Sequence, residues 1–224
     1  PNPDNIILLS SKAHLVPDAE ETCARTGTSV RGIVKRPDGG DIVLSPELLG
    51  SVTDLEDLIA EIPVLSLAFG PGTRQQVYAW LSENLSNPDG FSVSHLIDPT
   101  SIVPKSTEFG QGTFVNSGCA FGAASTFGEN CMINRGCSLG HHLEVGDFVS
   151  FGSAATVMGD VVIGKGAMIG MNATVMTELT IGENAVIGAG AVVMEDVLPN
   201  SVLVGNPARV VKTNVPGYQG IAVT

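Results

Sequence analysis

Two adjacent histidines, His141 and His142, are the side chains in this sequence best suited to proton transfer. A neutral imidazole, with an ordinary pKa near 6.5, accepts a proton readily at physiological pH, as a general base must. An outward histidine on a flat protein wall is otherwise simply a solvated surface residue. The residues around the two histidines decide whether they are catalytic or merely solvated. Which residues lie there depends on the fold of the segment that contains the pair.

The segment from residue 97 onwards repeats every six residues, with an apolar lead residue, often glycine next, and a small side chain four residues after the lead. A period of six fits neither a helix nor a plain alternating strand. It predicts a left-handed parallel β-helix whose coils each contain three short strands and about 18 residues. The lead positions are Ile97, Val103, Phe109, Val115, Phe121, Phe127, Ile133, Leu139, Val145, Phe151, Val157, Ile163, Ile169, Val175, Ile181, Ile187 and Val193.

A coil of 18 residues predicts which residues stack beside the histidines. Gly159 is one coil on from His141, so the two should lie about 4.8 Å apart, which is the strand spacing. Its bare backbone N–H could then donate to an oxyanion or to a bound ligand. By the same count Asp160 lies above His142 and could pair with either histidine, or could be an ordinary corner residue in solvent.

The first 96 residues alternate apolar runs with helical patterns, which predicts a small Rossmann-like α/β domain. The first strand–helix junction runs from Ser10 to His14 without glycine, so the dinucleotide fingerprint is absent and NAD is not expected. A packing domain that binds no ligand is the other interpretation. The predicted elements are strands Asn5–Ser10, Ser29–Val34, Pro63–Phe69 and Phe91–Ile97, and helices Asp18–Thr26, Asp54–Glu61 and Arg74–Leu85.

Composition excludes several classes of function. The net charge of −12 argues against nucleic acid or an anionic membrane as a partner. No run approaches the roughly 18 apolar residues of a membrane span and no signal peptide is visible. The four cysteines lack metal-site spacing, and Cys119, Cys131 and Cys137 share the small position of the repeat. Free, buried thiols and a cytoplasmic location are therefore expected.

Three motifs give the chain a resemblance to the hexapeptide-repeat sugar O- and N-acetyltransferases. This family includes the sialic acid O-acetyltransferases and the N-acetyltransferases of UDP-4-amino-sugars and GDP-perosamine. The motifs are Asn134–Gly136 followed by Gly140–His142 and Val145–Phe148, then Gly205–Arg209 (GNPAR), and Leu67–Arg74 (LAFGPGTR). The resemblance covers essentially the whole chain.

The resemblance implies an acetyl-CoA-dependent enzyme, usually a homotrimer, in which His141 is the catalytic base. Outward apolar residues such as Val149, Met168 and Met171 would suit packing against other subunits. Acetyl-CoA is expected as co-substrate, without a metal. The implied coenzyme contacts are Ser150, Gly159, Met171, Ala189, Gly205, Asn206, Pro207 and Arg209, and the implied sugar-nucleotide contacts are His14, Lys35, Arg36, Gly70 and Asn134.

The chain departs from this family's pattern at the catalytic site. The family has Asp or Glu after the catalytic histidine, whereas this chain has His142, and a second family histidine is replaced by Ser150. Asp160 is the candidate substitute for the missing carboxylate. In the N-terminal domain, the usual glycines are replaced by Ser10 and Ala13, and the usual acidic pair by Lys35 and Arg36. These two basic side chains could meet a phosphate of the substrate or could simply be solvated.

The function expected from the sequence is acetyl transfer to the amino group of a nucleotide-linked amino sugar. Two alternatives remain open: a sugar O-acetyltransferase of the sialic acid type, and a β-helix scaffold with impaired catalysis. A zinc carbonic anhydrase of the same helix type is discarded, because it needs three histidine ligands and the repeat carries only the adjacent pair.

Overall fold

The computed structural model of the protein describes residues 3–10, 15–35, 43–44, 58–85, 87 and 90–224. Near the N-terminus, strand β1 lies in the middle of a sheet of order β3-β2-β1-β4, parallel to β2 and β4, while β3 runs antiparallel to β2. The apolar run of β1 is buried, as a central parallel strand requires. The strands are β1 Asn5–Ser10, β2 Ser29–Lys35, β3 Val43–Leu44 and β4 Val64–Ser66.

Two helices accompany this sheet, α1 at Val16–Thr26 and α2 at Pro71–Asn84. Each begins a few residues earlier than predicted, because a proline in the first turn favours helix initiation. Gly27, with a φ of 76°, ends α1 by donating its N–H to the Cys23 carbonyl. Within the described ranges, no helix has the length and hydropathy needed to cross a bilayer.

The other predicted N-terminal elements are shorter than expected or only partly described. The strand predicted over residues 91–97 is reduced to Leu96–Ile97 and an isolated bridge between Val64 and Val93. Residues 58–61 are helical, and the rest of the predicted 54–61 helix lies outside the described residues. The described elements agree with an α/β arrangement, and its assignment as Rossmann-like remains a prediction.

The repeat forms a parallel β-solenoid with three faces, consistent with a left-handed β-helix. Its short strands pair with strands 18 residues away, as Ser138 pairs with Thr156. Face 1 contains Leu96–Ile97, Phe114–Val115, Met132–Ile133, Ser150–Phe151, Met168–Ile169, Val186–Ile187, Val202–Val204 and the antiparallel Arg209–Lys212. Face 2 contains Ala120–Phe121, Ser138–Leu139, Thr156–Val157, Thr174–Val175 and Val192–Val193. Face 3 contains Glu108–Phe109, Thr126–Phe127, Glu144–Val145, Val162–Ile163 and Thr180–Ile181. A short 3₁₀ turn, Tyr218–Gly220, lies near the C-terminus.

The inward lead residues fill the solenoid, as the repeat predicts. Phe109, Phe121 and Phe127 stack against one another with ring centroids 5.1 to 5.4 Å apart. The cysteines are free and buried, also as predicted. Burial raises the pKa of Cys131 to about 12 and that of Cys23 to about 11. These two thiols therefore stay protonated at neutral pH and are poor nucleophiles.

The outward side of face 1 is covered within the chain rather than left open for another subunit. Phe114 and Met132 pack in one buried cluster with Ile6 and Leu8 of β1. The expectation that Val149 and Met168 face outward is wrong, since both are buried, Val149 in the solenoid core. Of the three residues predicted to be exposed, only Met171 is exposed.

Arg74 of α2 joins the N-terminal sheet to the solenoid. Its side chain is completely buried, and its guanidinium donates to backbone carbonyls on both sides of the junction. It also donates to the Ser150 hydroxyl at 2.9 Å. Burial lowers the pKa of Arg74 to about 10, so the group remains charged at neutral pH. The carbonyl acceptors belong to Ala68 and Phe69 on the N-terminal side and to Asn130, Phe148 and Val149 in the solenoid.

Replacing Arg74 with methionine is expected to destabilise the protein by at least ~3 kcal/mol, because several buried acceptors lose their donor together. Gln76→Met is the matched control, since Gln76 is an exposed residue of the same helix. Urea unfolding followed by circular dichroism measures both. Equal midpoints and slopes for R74M and the wild type would show that the junction does not depend on this cation.

A second polar contact joins α1 to the start of the solenoid. Asp98 is buried and accepts from Arg25 at 2.6 Å and from Thr22 at 2.8 Å. Burial alone would raise the pKa of Asp98, but hydrogen bonds from Thr100, Thr22 and Arg25 outweigh it and hold the pKa below its ordinary value. The carboxylate is therefore ionised at neutral pH, and the ion pair is present when the protein is folded.

Candidate active site

The predicted catalytic residues meet at one corner of the solenoid, between faces 2 and 3. His141 and Asp160 occupy adjacent coils, and the Asp160 N–H donates to the His141 carbonyl at 3.0 Å. His142 and Asp160 adopt left-handed backbone conformations, with φ of 52° and 60°. Such a conformation is unusual outside glycine, although His and Asp adopt it more readily than bulky residues. The tight corner brings all three side chains to the surface.

The His141 imidazole is held through its Nδ1 atom. Nδ1 lies 3.0 Å from Nδ1 of His142 and 3.6 Å from Oδ2 of Asp160. The side chains of His141 and Asp160 are 58% and 49% exposed, so substrates have access to them. When Nδ1 of His141 donates to His142, the Nε2 atom carries the free lone pair. This tautomer is the one a general base needs.

Gly159 lies directly under the His141 ring. A Cβ added there would be 2.4 Å from Cε1 of His141 and 2.6 Å from its Nε2. These distances are too short for any side chain at position 159 unless the ring moves. The Gly159 carbonyl accepts from the Thr177 hydroxyl at 2.8 Å and from the Glu178 N–H at 3.1 Å. Its own N–H makes no hydrogen bond within the described part of the chain. A fixed, free donor therefore lies beside the imidazole.

An exposed ladder of methionines begins next to this corner, a feature that the pattern of apolar lead residues does not indicate. Met158, Met176 and Met194 lie 18 residues apart and are 45%, 38% and 60% exposed. The coil count that places Gly159 beside His141 would also have found it. The last methionine borders a groove formed together with Leu203, Pro207, Ala208 and Arg209.

The predicted coenzyme residues other than Ser150 divide among three places. Gly159 lies at the His141 corner, and Gly205, Asn206, Pro207 and Arg209 are exposed at the C-terminal end of the solenoid, where the methionine ladder ends. Met171 and Ala189 are exposed on a different corner, as the backbone contact from Gly190 N–H to the Met171 carbonyl indicates. Within one chain these two residues do not reach the His141 corner.

Ser150 requires a correction. Its side chain is fully buried at the junction rather than exposed to a coenzyme. Its hydroxyl donates to the Phe69 carbonyl at 2.7 Å and accepts from Arg74 at 2.9 Å. The residue that replaces the family's second histidine thus helps to bind α2 to the solenoid.

The predicted sugar-nucleotide residues are only partly described. His14 and Arg36 lie outside the described residues, and Lys35 ends strand β2. Gly70 is buried before α2, where an added Cβ would meet Thr73 and the Tyr218 ring, so it does not border an open pocket in this conformation. Asn134 is half-buried, and its Oδ1 accepts from Asn116 at 3.1 Å and from the Arg135 N–H at 2.8 Å.

Comparisons with known proteins agree with this fold. The family model described as bacterial transferase hexapeptide (six repeats) matches residues 160–195. No curated protein sequence matches the chain.

Several solved structures, among them a perosamine N-acetyltransferase and the acetyltransferase domain of PglB, share the fold over most of the chain. PerB from Caulobacter crescentus, in complex with CoA and GDP-perosamine, is 25% identical with a TM-score of 0.80, over 93% of this chain and 97% of its own. The acetyltransferase domain of PglB from Neisseria gonorrhoeae FA1090, in complex with acetyl coenzyme A, is 24% identical with a TM-score of 0.77, over 93% and 99%. WeeI from Acinetobacter baumannii AYE is 22% identical with a TM-score of 0.75, over 92% and 100%.

The structural similarity extends over both parts of the chain and not over the repeat alone, since each match covers more than nine tenths of this chain. The hexapeptide model, in turn, matches the coils that begin at Asp160, directly beside His141. The chain is thus an acyltransferase that contains the bacterial transferase hexapeptide repeat and shares its fold with solved sugar acetyltransferases.

Proposed function

We propose that this protein transfers the acetyl group of acetyl-CoA to the amino group of a nucleotide-linked amino sugar, with His141 as general base. The observation that supports this most strongly is the His141 ring itself. It is exposed, held at Nδ1 by His142, and lies on a glycine whose N–H makes no hydrogen bond to any described residue. This arrangement provides a proton acceptor and an oxyanion donor a few ångströms apart.

In the proposed reaction, the acceptor nitrogen attacks the thioester carbonyl carbon while Nε2 of His141 takes its proton. The carbonyl oxygen becomes an oxyanion, and the Gly159 N–H is placed to donate to it. Collapse of the tetrahedral intermediate breaks the carbon–sulfur bond, and the imidazolium returns the proton to the departing sulfur. The products are the amide and CoA, and His141 is neutral again.

His142 takes the place of the carboxylate that the family carries after the catalytic histidine. Its Nδ1 accepts from Nδ1 of His141 and so fixes the tautomer and orientation of the ring. Asp160, 3.6 Å from the same nitrogen, stabilises the imidazolium that forms during the reaction. Removing Asp160 is therefore expected to reduce kcat without changing the affinity for the coenzyme.

The methionine ladder supplies a path for the coenzyme. Successive coils are about 4.8 Å apart, so the three methionines extend about 10 Å from the catalytic corner toward the groove at Pro207 and Arg209. A flexible thioether surface suits the pantetheine arm, and the Arg209 cation suits a coenzyme phosphate. Met171 and Ala189 would reach this path only from a neighbouring subunit, which agrees with the homotrimer implied by the resemblance.

Arg209→Gln is expected to raise the KM for acetyl-CoA about tenfold with little change in kcat, because the lost contact is distant from the reacting atoms. Lys212→Gln, on the same exposed strand, is the matched control. Steady-state rates at varied acetyl-CoA measure both variants. An unchanged KM in R209Q would remove this cation from the coenzyme site.

We propose that the acceptor binds on the side of the N-terminal domain. We propose that this domain comprises residues 1–96 and is Rossmann-like. PerB, of the same fold, is bound to GDP-perosamine, an amino sugar attached to a nucleotide. His14, Lys35, Arg36, Gly70 and Asn134 are the proposed contacts. The β-helix domain over 97–224, proposed to be left-handed, carries the chemistry.

An acceptor panel tests the function. The purified protein is incubated with acetyl-CoA and with nucleotide-linked amino sugars, free amino sugars and sialic acid, and products are identified by mass spectrometry. We expect N-acetylation of a nucleotide-linked amine at the highest rate. Transfer only to hydroxyl groups would favour the sugar O-acetyltransferase, and coenzyme binding without any transfer would favour a scaffold.

A further inference from the structure

We propose that His141, His142 and Asp160 also bind one divalent transition-metal ion of the zinc type, and that the bound ion inhibits the enzyme. The three residues form a group whose possible ligand atoms all lie within 4.8 Å of one another. Among the described residues, it is the one group of three or more histidine, cysteine or acidic side chains with this property. We infer metal binding from this geometry alone, whereas the inhibition rests on the proposed function.

The distances fit a tetrahedral site. With zinc–nitrogen and zinc–oxygen bonds of about 2.0–2.2 Å, two ligand atoms of a tetrahedral ion lie about 3.3 Å apart. Nδ1 of His141 lies 3.0 Å from Nδ1 of His142 and 3.6 Å from Oδ2 of Asp160, on either side of that value. Small side-chain rotations at this exposed corner would bring all three atoms into the first coordination shell.

The donor set also fits a borderline cation. Two neutral imidazoles and one carboxylate are ligands that zinc uses in open sites, where the fourth position holds water or substrate. The backbone that carries Asp160 is tied to His141 by the 3.0 Å hydrogen bond between them, so two of the ligands come from a rigid corner. The protein's net charge of −12 further favours a cation.

Metal binding would inhibit through the tautomer of His141. An ion on Nδ1 places the ring proton on Nε2, because a neutral imidazole metallated at one nitrogen carries its hydrogen on the other. Nε2 then has no lone pair with which to accept the acceptor's proton. The ion would also bind the ligand atoms of His142 and Asp160. The proposed mechanism uses these same atoms to orient and stabilise the ring.

The binding experiment uses the full chain, freed of metal with a chelator and then dialysed. Zn²⁺ is titrated calorimetrically, and Co²⁺ is titrated while its visible absorption is recorded. We expect one ion per chain and an intense tetrahedral cobalt spectrum. Asp160→Asn and His142→Gln should each weaken binding at least tenfold. Glu178→Gln, which removes an exposed carboxylate one coil beyond Asp160, should bind as the wild type does.

Absence of a 1:1 zinc complex in the wild type would overturn the proposal, as would wild-type affinity in both ligand variants. The described cysteines are buried, so surface thiols do not compete for the ion. Thermal melting of each variant checks that a loss of binding is not a loss of folding.

A separate activity measurement distinguishes this proposal from the proposed function. Acetylated product is measured by chromatography, since zinc would interfere with a thiol assay. We expect zinc to abolish transfer at concentrations that match its dissociation constant, and chelator to restore the rate. Undiminished transfer by the zinc-saturated enzyme would overturn the inhibition. Zinc binding by a protein that acetylates no acceptor would support the metal site and contradict the proposed function.

Discussion

Replacing His141 with asparagine is expected to lower kcat/KM by about 10²–10⁴, the usual contribution of a positioned general base. Asparagine preserves much of the polarity and size of the side chain but cannot take up a proton at neutral pH. Because His141 is 58% exposed, its replacement should not change folding. Initial rates with the best acceptor from the panel, together with the melting temperature, measure the effect.

His95→Asn is the matched control, because His95 precedes the first solenoid strand and lies outside the catalytic corner. It should retain a rate close to that of the wild type. An H141N enzyme that remains within threefold of the wild-type rate would mean that the proton is accepted elsewhere.

Gly159→Ala is expected to lower kcat by about 100-fold or more, although it adds only one methyl group. A Cβ at this position would lie 2.4 Å from Cε1 of His141, so the ring must move away. An exposed ring can rotate at little cost to folding, but a displacement of about 1 Å at a reacting group can reduce the rate 10²-fold. The melting temperature should therefore stay near the wild-type value while the rate falls.

A double-mutant cycle identifies the cause of that loss. If the alanine acts by displacing the imidazole, Gly159→Ala should reduce the rate of the His141→Asn enzyme much less than that of the wild type. Fully additive losses would instead mean that position 159 acts through the coenzyme or the oxyanion, independently of His141.

The repeat is the part of the fold that the sequence predicts best, since each coil follows the same local rule. Lead residues, small positions and the 18-residue coil appear in the structure with the expected register. The same arithmetic places Asp160 and Gly159 beside His141. A solenoid allows this because its contacts are made between neighbouring coils at a constant separation along the chain.

The junction between the two parts of the chain could not be predicted in this way. Nothing in the spacing indicates that Arg74 is buried without a carboxylate partner among the described residues, or that Ser150 is used to hold it. Met168 occupies an outward-looking position in the repeat, and its burial depends on the rest of the chain, whereas Val149 lies at the small inward position and is buried in the solenoid core. These are long-range contacts, and a periodic pattern carries no information about them.

The most direct test of the central claim is a crystal structure of the protein with CoA and a nucleotide-linked amino sugar. We expect the CoA sulfur to lie at the corner of His141 and Gly159, with the acceptor nitrogen within hydrogen-bonding distance of Nε2. The pantetheine arm should follow Met158, Met176 and Met194. A coenzyme bound with its sulfur away from this corner would contradict the assignment of the active site.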